Sequence, residues 1–116
     1  MVLSLVCAVL EREGYLVYPT QDPVSALRSA ATPEGHPDLL LTDVSMPVLT
    51  GPALAWLVRK ESPGTRILFM TAHLEGRDEE HGIPQEADVL RKPFGIGELV
   101  DRVRQALNTR RTAVAC

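Results

Sequence analysis

Pro37-Asp38-Leu39-Leu40-Leu41-Thr42-Asp43-Val44-Ser45-Met46-Pro47 is the stretch that decides the fold. Leu39 to Thr42 is a short apolar run without alternation, the pattern of a central parallel strand covered on both faces. The run stops at Asp43, and Pro47 and Gly51 follow closely, so the chain turns there. A carboxylate at the carboxyl end of a buried strand stands where open α/β sheets place their ligands. Asp43 is therefore the candidate for chemistry. Its plainer reading is a turn-forming or helix-capping aspartate, and the rest of the chain has to decide between the two.

Outward from this strand, apolar and polar segments alternate with a regular punctuation. Val2, Leu3, Val6, Val9 and Leu10 have helical spacing, closed by Gly14, although a segment this apolar is also compatible with a strand. Tyr15 to Tyr18 reads as a short strand. Asp22-Pro23 reads as an N-cap followed by proline at the first helical position, with Val24, Leu27, Ala30 and Ala31 on the inner face. Thr32 to Pro37 is a loop. Gly51-Pro52 opens a third helix with Ala53, Leu54, Leu57 and Val58 inward, stopped by Ser62-Pro63-Gly64. Thr65 to Met70 is a second buried strand ending at Thr71, and Ala87 to Leu90 a third, ending at Arg91-Lys92-Pro93-Phe94. His73 to Gln85 between them is polar and interrupted by glycine. Ile96, Leu99, Val100, Val103 and Leu107 form the clearest amphipathic helix. Strands alternate with helices, which predicts an α/β fold with a parallel sheet. Residues 1–107 form one domain in this reading, and 108–116 a frayed C-terminal tail.

Composition narrows the function classes. The 116 residues suffice for one domain with a real core. A formal net charge of −3 and no basic stripe argue against nucleic acid. Arg110-Arg111 lies in the tail and reads as solvated. No apolar run reaches the length of a membrane span, and the N-terminus lacks the charged leader of a signal peptide. Cys7, on an apolar face, reads as a small buried hydrophobe. With Cys116 at the other end, the pair suggests a reducing, cytoplasmic setting without disulfides.

Three strands end in a reactive or polar residue: Asp43, Thr71 and Lys92. In a parallel sheet all carboxyl ends share one edge, so these side chains should meet. A carboxylate can attack a phosphoryl group, an ammonium can neutralise its oxygens, and a hydroxyl can donate to one of them. Taken singly, Thr71 could be a cap and Lys92 a structural ion-pair partner of Asp43. Three strand ends fitting one site argue against that combination.

At this point the chain resembles the receiver domain of two-component response regulators. The residues that carry the resemblance are the Pro37 to Pro47 stretch, Gly51, Thr71-Ala72, Ala87-Asp88 and Lys92-Pro93-Phe94, with Glu11-Arg12-Glu13-Gly14-Tyr15 at the end of the first helix. It covers Met1 to about Leu107. It implies a flavodoxin-like, doubly wound, three-layer α/β/α fold. It also implies an aspartyl-phosphate switch: Asp43 accepts a phosphoryl group from a histidine kinase or phosphotransfer protein, while Thr71 and Lys92 bind the phosphate. A cis bond before Pro93 and a Mg²⁺ ion belong to the same implication. The apolar strands are similar to receivers attached to hybrid histidine kinases.

Two departures from the family matter. Receivers begin with a strand that ends in an acidic pair holding Mg²⁺; here no Asp or Glu precedes Glu11. Asp43 and the Ser45 backbone carbonyl would be the remaining metal ligands, so weak or absent Mg²⁺ binding and slow phosphorylation are expected. In the family's strand order, 2-1-3-4-5, the absent strand lies mid-sheet. Its place could be closed by direct pairing of the Tyr15 and Leu39 strands, by Val2 to Val9 recruited as a strand, or by another chain. A dimer through the incomplete sheet or through the last helix follows as an option. The second departure is Val89, where the family usually carries an aromatic switch residue.

The leading reading is a phosphoacceptor that signals through protein contacts, with no turnover beyond self-catalysed phosphorylation and dephosphorylation. The alternative is a degenerate receiver, a binding module that works without phosphorylation. A metal-dependent aspartyl phosphatase would want a carboxylate where Ser45 stands. A dinucleotide module would need a Gly-rich loop. His36, His73 and His81 lack metal-ligand spacing, and Trp56, out of phase with Leu54 and Leu57, reads as partly exposed.

Overall fold

A computed structural model describes residues 3–31, 36–46, 48–72, 77–85, 87–107 and 114–115. The elements run α1 (Leu3–Arg12), β1 (Val17–Tyr18), α2 (Pro23–Ala31), β2 (Leu39–Asp43), α3 (Gly51–Glu61), β3 (Arg66–Thr71), β4 (Asp88–Arg91), α4 (Ile96–Leu107) and β5 (Val114–Ala115), with one 3-10 turn at Glu79–His81. Pro47, His73, Arg110, Arg111 and Cys116, and most of the Thr32 to Pro37 loop, lie outside the described residues.

The sheet is parallel, with strand order β1-β5-β2-β3-β4. β2 sits at its centre because Leu39, Leu40 and Leu41, each no more than 2% exposed, bury both faces of one strand. Alternation along β2 divides the core. Leu39 and Leu41 join α1 and α4 through Val6, Leu10, Leu99, Val103 and Leu107. Leu40 and Val44 join α2 and α3 through Ala26, Ala30, Leu54 and Val58. Each fully buried Leu contributes ~1.5–3 kcal/mol relative to an exposed one, so this doubly covered strand anchors the three layers.

The main difference from the sequence-based expectation is β5. Val114 pairs with Val17 and Leu39, and Ala115 with Tyr18 and Leu40, so a segment assigned to a frayed tail occupies the mid-sheet place between β1 and β2. Among the described residues there is neither direct β1–β2 pairing nor conversion of α1 to a strand, and β5 takes the place that a second chain was expected to be able to fill. An unpaired edge at this position would leave backbone donors and acceptors of a buried strand unsatisfied, which is the physical reason a short strand from the chain's own end is drawn in.

Smaller corrections concern helix faces. Asp22 caps α2 as expected, but the inner stripe is Pro23, Ala26 and Ala30, while Val24 is 50% exposed and Ala31 lies outside. In α3 the buried set is Gly51, Leu54, Ala55 and Val58, so the stripe is turned slightly from Ala53 and Leu57. Ile96 is exposed at the start of α4. Cys7 is buried in the core but is disulfide-bonded, which corrects both its reading as a simple hydrophobe and the expectation of a reducing setting without disulfides.

Candidate functional site

β2, β3 and β4 end together at the carboxyl edge of the sheet. Register places Asp43 opposite Met70, and Thr71 opposite Arg91. The edge is stitched by backbone bonds: the Val44 amide donates to the Met70 carbonyl at 3.0 Å, and the Lys92 amide to the Thr71 carbonyl at 2.7 Å. Asp43 shares its strand face with Leu39 and Leu41, and stands just where that face runs out of core. The Lys92–Pro93 peptide bond is cis.

From β4, the Lys92 ammonium donates to Asp43 Oδ1 at 2.6 Å. Both side chains keep access to solvent, at 33% for Lys92 and 43% for Asp43. The pair therefore joins a nucleophilic oxygen to a fixed cation in a place an incoming group can reach. Thr71 is 3% exposed at the end of β3. Sequence reasoning brought these three strand ends to one edge, and the structure sets all three there.

Gly51 supports the site in a way the sequence suggested only as a turn signal. Its amide donates to the Val44 carbonyl at 2.8 Å, and a Cβ at this position would sit 2.1 Å from the Asp43 carbonyl oxygen. The first residue of α3 must therefore lack a side chain so that the helix can press against the backbone holding Asp43. Thr50 caps the same helix, its side chain accepting from the Ala53 amide. Beside Asp43, the buried Thr42 hydroxyl donates to the Asp43 carbonyl at 3.0 Å. Val48, in the connecting loop, adopts φ of 73° and is 94% exposed, a rare conformation for a β-branched residue.

A cavity of about 370 Å³ opens next to Asp43 along β2. Along β2, the described residues of β5 pair with Leu39 and Leu40, and the cavity lies alongside Leu41, Thr42 and Asp43, bounded also by Thr20, Asp22 and Ser45. As a magnesium site this region is incomplete. Among the described residues no three His, Cys, Asp or Glu side chains converge to hold a metal ion, and the Lys92 ammonium already occupies one side of Asp43. Asp22, the other carboxylate on the cavity wall, is engaged with Ser25 through both backbone and hydroxyl, at 2.8 Å each. These residues do not make a full set of Mg²⁺ ligands.

Two further features escaped sequence reasoning. The Arg91 guanidinium donates to both carboxylate oxygens of Asp78, at 3.0 and 2.7 Å, pinning the turn after β3 to β4. At the opposite edge of the sheet, the Thr65 hydroxyl donates to the Pro37 carbonyl at 2.7 Å and lies 2.6 Å from the Ser62 hydroxyl. Neither contact has a local sequence signal, because the Asp78–Arg91 and Pro37–Thr65 partners are distant in the chain. Val89 is partly buried against the α2/α3 side of the core.

Residues 1–104 match the profile of the response regulator receiver domain. The chain belongs to the response regulator receiver family. It is similar to the transcriptional regulatory protein PrrA of Mycobacterium tuberculosis, with 36% identity over 92% of this receiver and 47% of PrrA. The receiver thus spans about half the length of that relative. Among solved structures, it resembles the chemotaxis protein CheY4 of Vibrio cholerae, with a TM-score of 0.77 and 29% identity over 90% of this chain and 88% of that one. It also resembles the receiver domain of the sensor histidine kinase PA1611 from Pseudomonas aeruginosa, with a TM-score of 0.74 and 29% identity over 91% of this chain and 88% of that one. The PA1611 domain holds a magnesium ion in its active-site cleft. These likenesses establish the flavodoxin-like receiver fold.

Proposed function

We propose that Asp43 accepts a phosphoryl group from a histidine kinase or phosphotransfer protein, and that this receiver passes the signal on through protein contacts. The observation that carries the reading is the 2.6 Å contact between the Lys92 ammonium and Asp43 Oδ1 at the solvent-accessible edge of the sheet. An Asp43 carboxylate oxygen attacks phosphorus, the bond from phosphorus to the donor nitrogen breaks, and an acyl phosphate remains on Asp43. Lys92 neutralises charge on the phosphoryl oxygens, and Thr71 supplies a hydroxyl to one of them.

Receivers typically bind Mg²⁺, which offsets charge on the transferring group. With Asp43 and the Ser45 carbonyl as the protein ligands at hand, this chain binds Mg²⁺ weakly or not at all and is phosphorylated slowly. Val89 offers no ring to swing, so the response to phosphate travels through the segment after Thr71 or through α4. In this reading the domain comprises residues 1–107 together with β5, which completes its sheet; it is a signalling module with at most self-catalysed phosphorylation and dephosphorylation, and its cytoplasmic setting rests on the family likeness rather than on its cysteines. No helix among the described residues is long and apolar enough to cross a membrane. Any self-association uses α4.

The test is intact mass after incubation with acetyl phosphate, with and without Mg²⁺, beside an Asp43→Asn control. A phosphoryl adduct lost in the control supports the proposal. Absence of an adduct under every condition overturns it in favour of a phosphorylation-independent binding module.

A further inference from the structure

Away from the phosphoacceptor edge, a groove of about 560 Å³ runs between α3 and the start of β3, bordered on its far side by Pro84 and Ala87. The described chain before β4 contributes a 3-10 turn, Glu79–His81, just ahead of Gly82 and Pro84 on the groove's border. Its floor is apolar, with Ala55, Ile67 and Phe69 among the lining residues. Trp56, the chain's single tryptophan, stands on its wall and is 63% exposed. The Lys60 ammonium lies 4.4 Å from the centre of the Trp56 ring, holding the indole at the rim.

Charge selects what such a groove would take. Among the described residues Arg59, Lys60 and Arg66 line it, against one carboxylate, Asp88. Among the described residues, none of these three cations is ion-paired with a carboxylate. A local excess of positive charge on a chain whose formal net charge is −3 is a directional feature rather than a reflection of composition. Exposed tryptophan and arginine beside an apolar floor are the residue types that dominate protein recognition sites, with charge complementarity setting partner choice.

We propose that this groove docks an acidic peptide segment of a partner protein, with a bulky apolar anchor lodged beside Trp56 and flanking carboxylates on Arg59, Lys60 and Arg66. The surface is separate from Asp43 and does not depend on its chemistry.

The test titrates the full chain with three capped peptides, Glu-Glu-Leu-Leu-Glu-Glu, Lys-Lys-Leu-Leu-Lys-Lys and Glu-Glu-Ser-Ser-Glu-Glu, and with ATP, reading Trp56 emission. The expected result is a saturable blue shift with the Glu/Leu peptide alone, weakened by added salt. Arg59→Glu with Lys60→Glu weakens that binding about tenfold or more, and Arg66→Glu acts in the same direction. All three side chains are exposed, so the folded state should survive, which circular dichroism checks. An equal response to the Lys/Leu peptide, a response to ATP in place of peptide, a shift that follows protein concentration alone, or no saturable shift would each overturn the proposal. So would unchanged binding by the folded charge-reversed variants. Phosphorylation measured in parallel on the same variants separates failure here from failure of the phosphoacceptor reading.

Discussion

Gly51 sets the tightest constraint on a single residue in this receiver. It has no room for a methyl group, since a Cβ would meet the Asp43 carbonyl oxygen at 2.1 Å. The obstacle is backbone, which cannot rotate aside as a flexible side chain would. Gly51→Ala must therefore push α3 away or displace the backbone that carries Asp43. Overpacking of this kind costs ~1–3 kcal/mol. A chemical denaturation curve should show a loss of that size, with a lower phosphorylation rate on Asp43; an unchanged midpoint would contradict the close approach. At this scale the sequence was informative where chemistry and position coincide: Asp43, Thr71 and Lys92 each end a strand. It was silent where the requirement is steric. Gly51 could be read as a turn signal, but no local pattern says that a carbonyl oxygen occupies the space beside it.

Elements here are defined as much by their ends as by their faces. Asp22 caps α2 by accepting from the Ser25 amide and hydroxyl. These bonds, the backbone one foremost, hold its carboxyl below the ordinary value of 3.8. A group whose folded pKa is depressed adds stability that is complete above the unfolded value and is lost as pH falls through the folded one. Asp22→Ala should therefore lower the melting temperature most at neutral pH, and the gap from the parent should narrow in acid below the ordinary carboxylate range. A gap independent of pH would contradict the cap's electrostatic part. The cap itself was legible because Asp-Pro before an apolar periodicity is a local signal. The face of α2 was less legible. Val24 has the right spacing for burial, yet small residues, Ala26 and Ala30, let the helix sit close to β2 and leave Val24 outside. Packing distance decided between two stripes that hydrophobicity alone ranked the other way.

On the scale of the whole molecule, the α/β class and parallel sheet followed from the alternation of elements, and the flavodoxin-like receiver fold from the resemblance. The strand between β1 and β2 did not follow. β5 consists of Val114 and Ala115, too short to show a period, and its pairing with Leu39 and Leu40 depends on partners far away in sequence. The unfilled place was foreseeable; the segment that fills it was not. Its described pairing with Leu39 and Leu40 has a consequence for the site, since Leu41, Thr42 and Asp43 border a cavity on the side away from β3. In the proposed reading that opening admits a phosphodonor to Asp43, and among the described residues its other carboxylate, Asp22, is already engaged as a cap. Two surfaces are thus separate: the carboxyl edge of the sheet, proposed to accept the phosphoryl group, and a basic, apolar groove beside α3.

The central claim is that Asp43, and no other carboxylate, takes the phosphoryl group. The most direct measurement is to phosphorylate the chain, reduce the acyl phosphate with borohydride, and locate the resulting homoserine by tandem mass spectrometry. The account predicts homoserine at position 43 alone. Homoserine at Asp22, or at any other acidic residue with Asp43 intact, would contradict it.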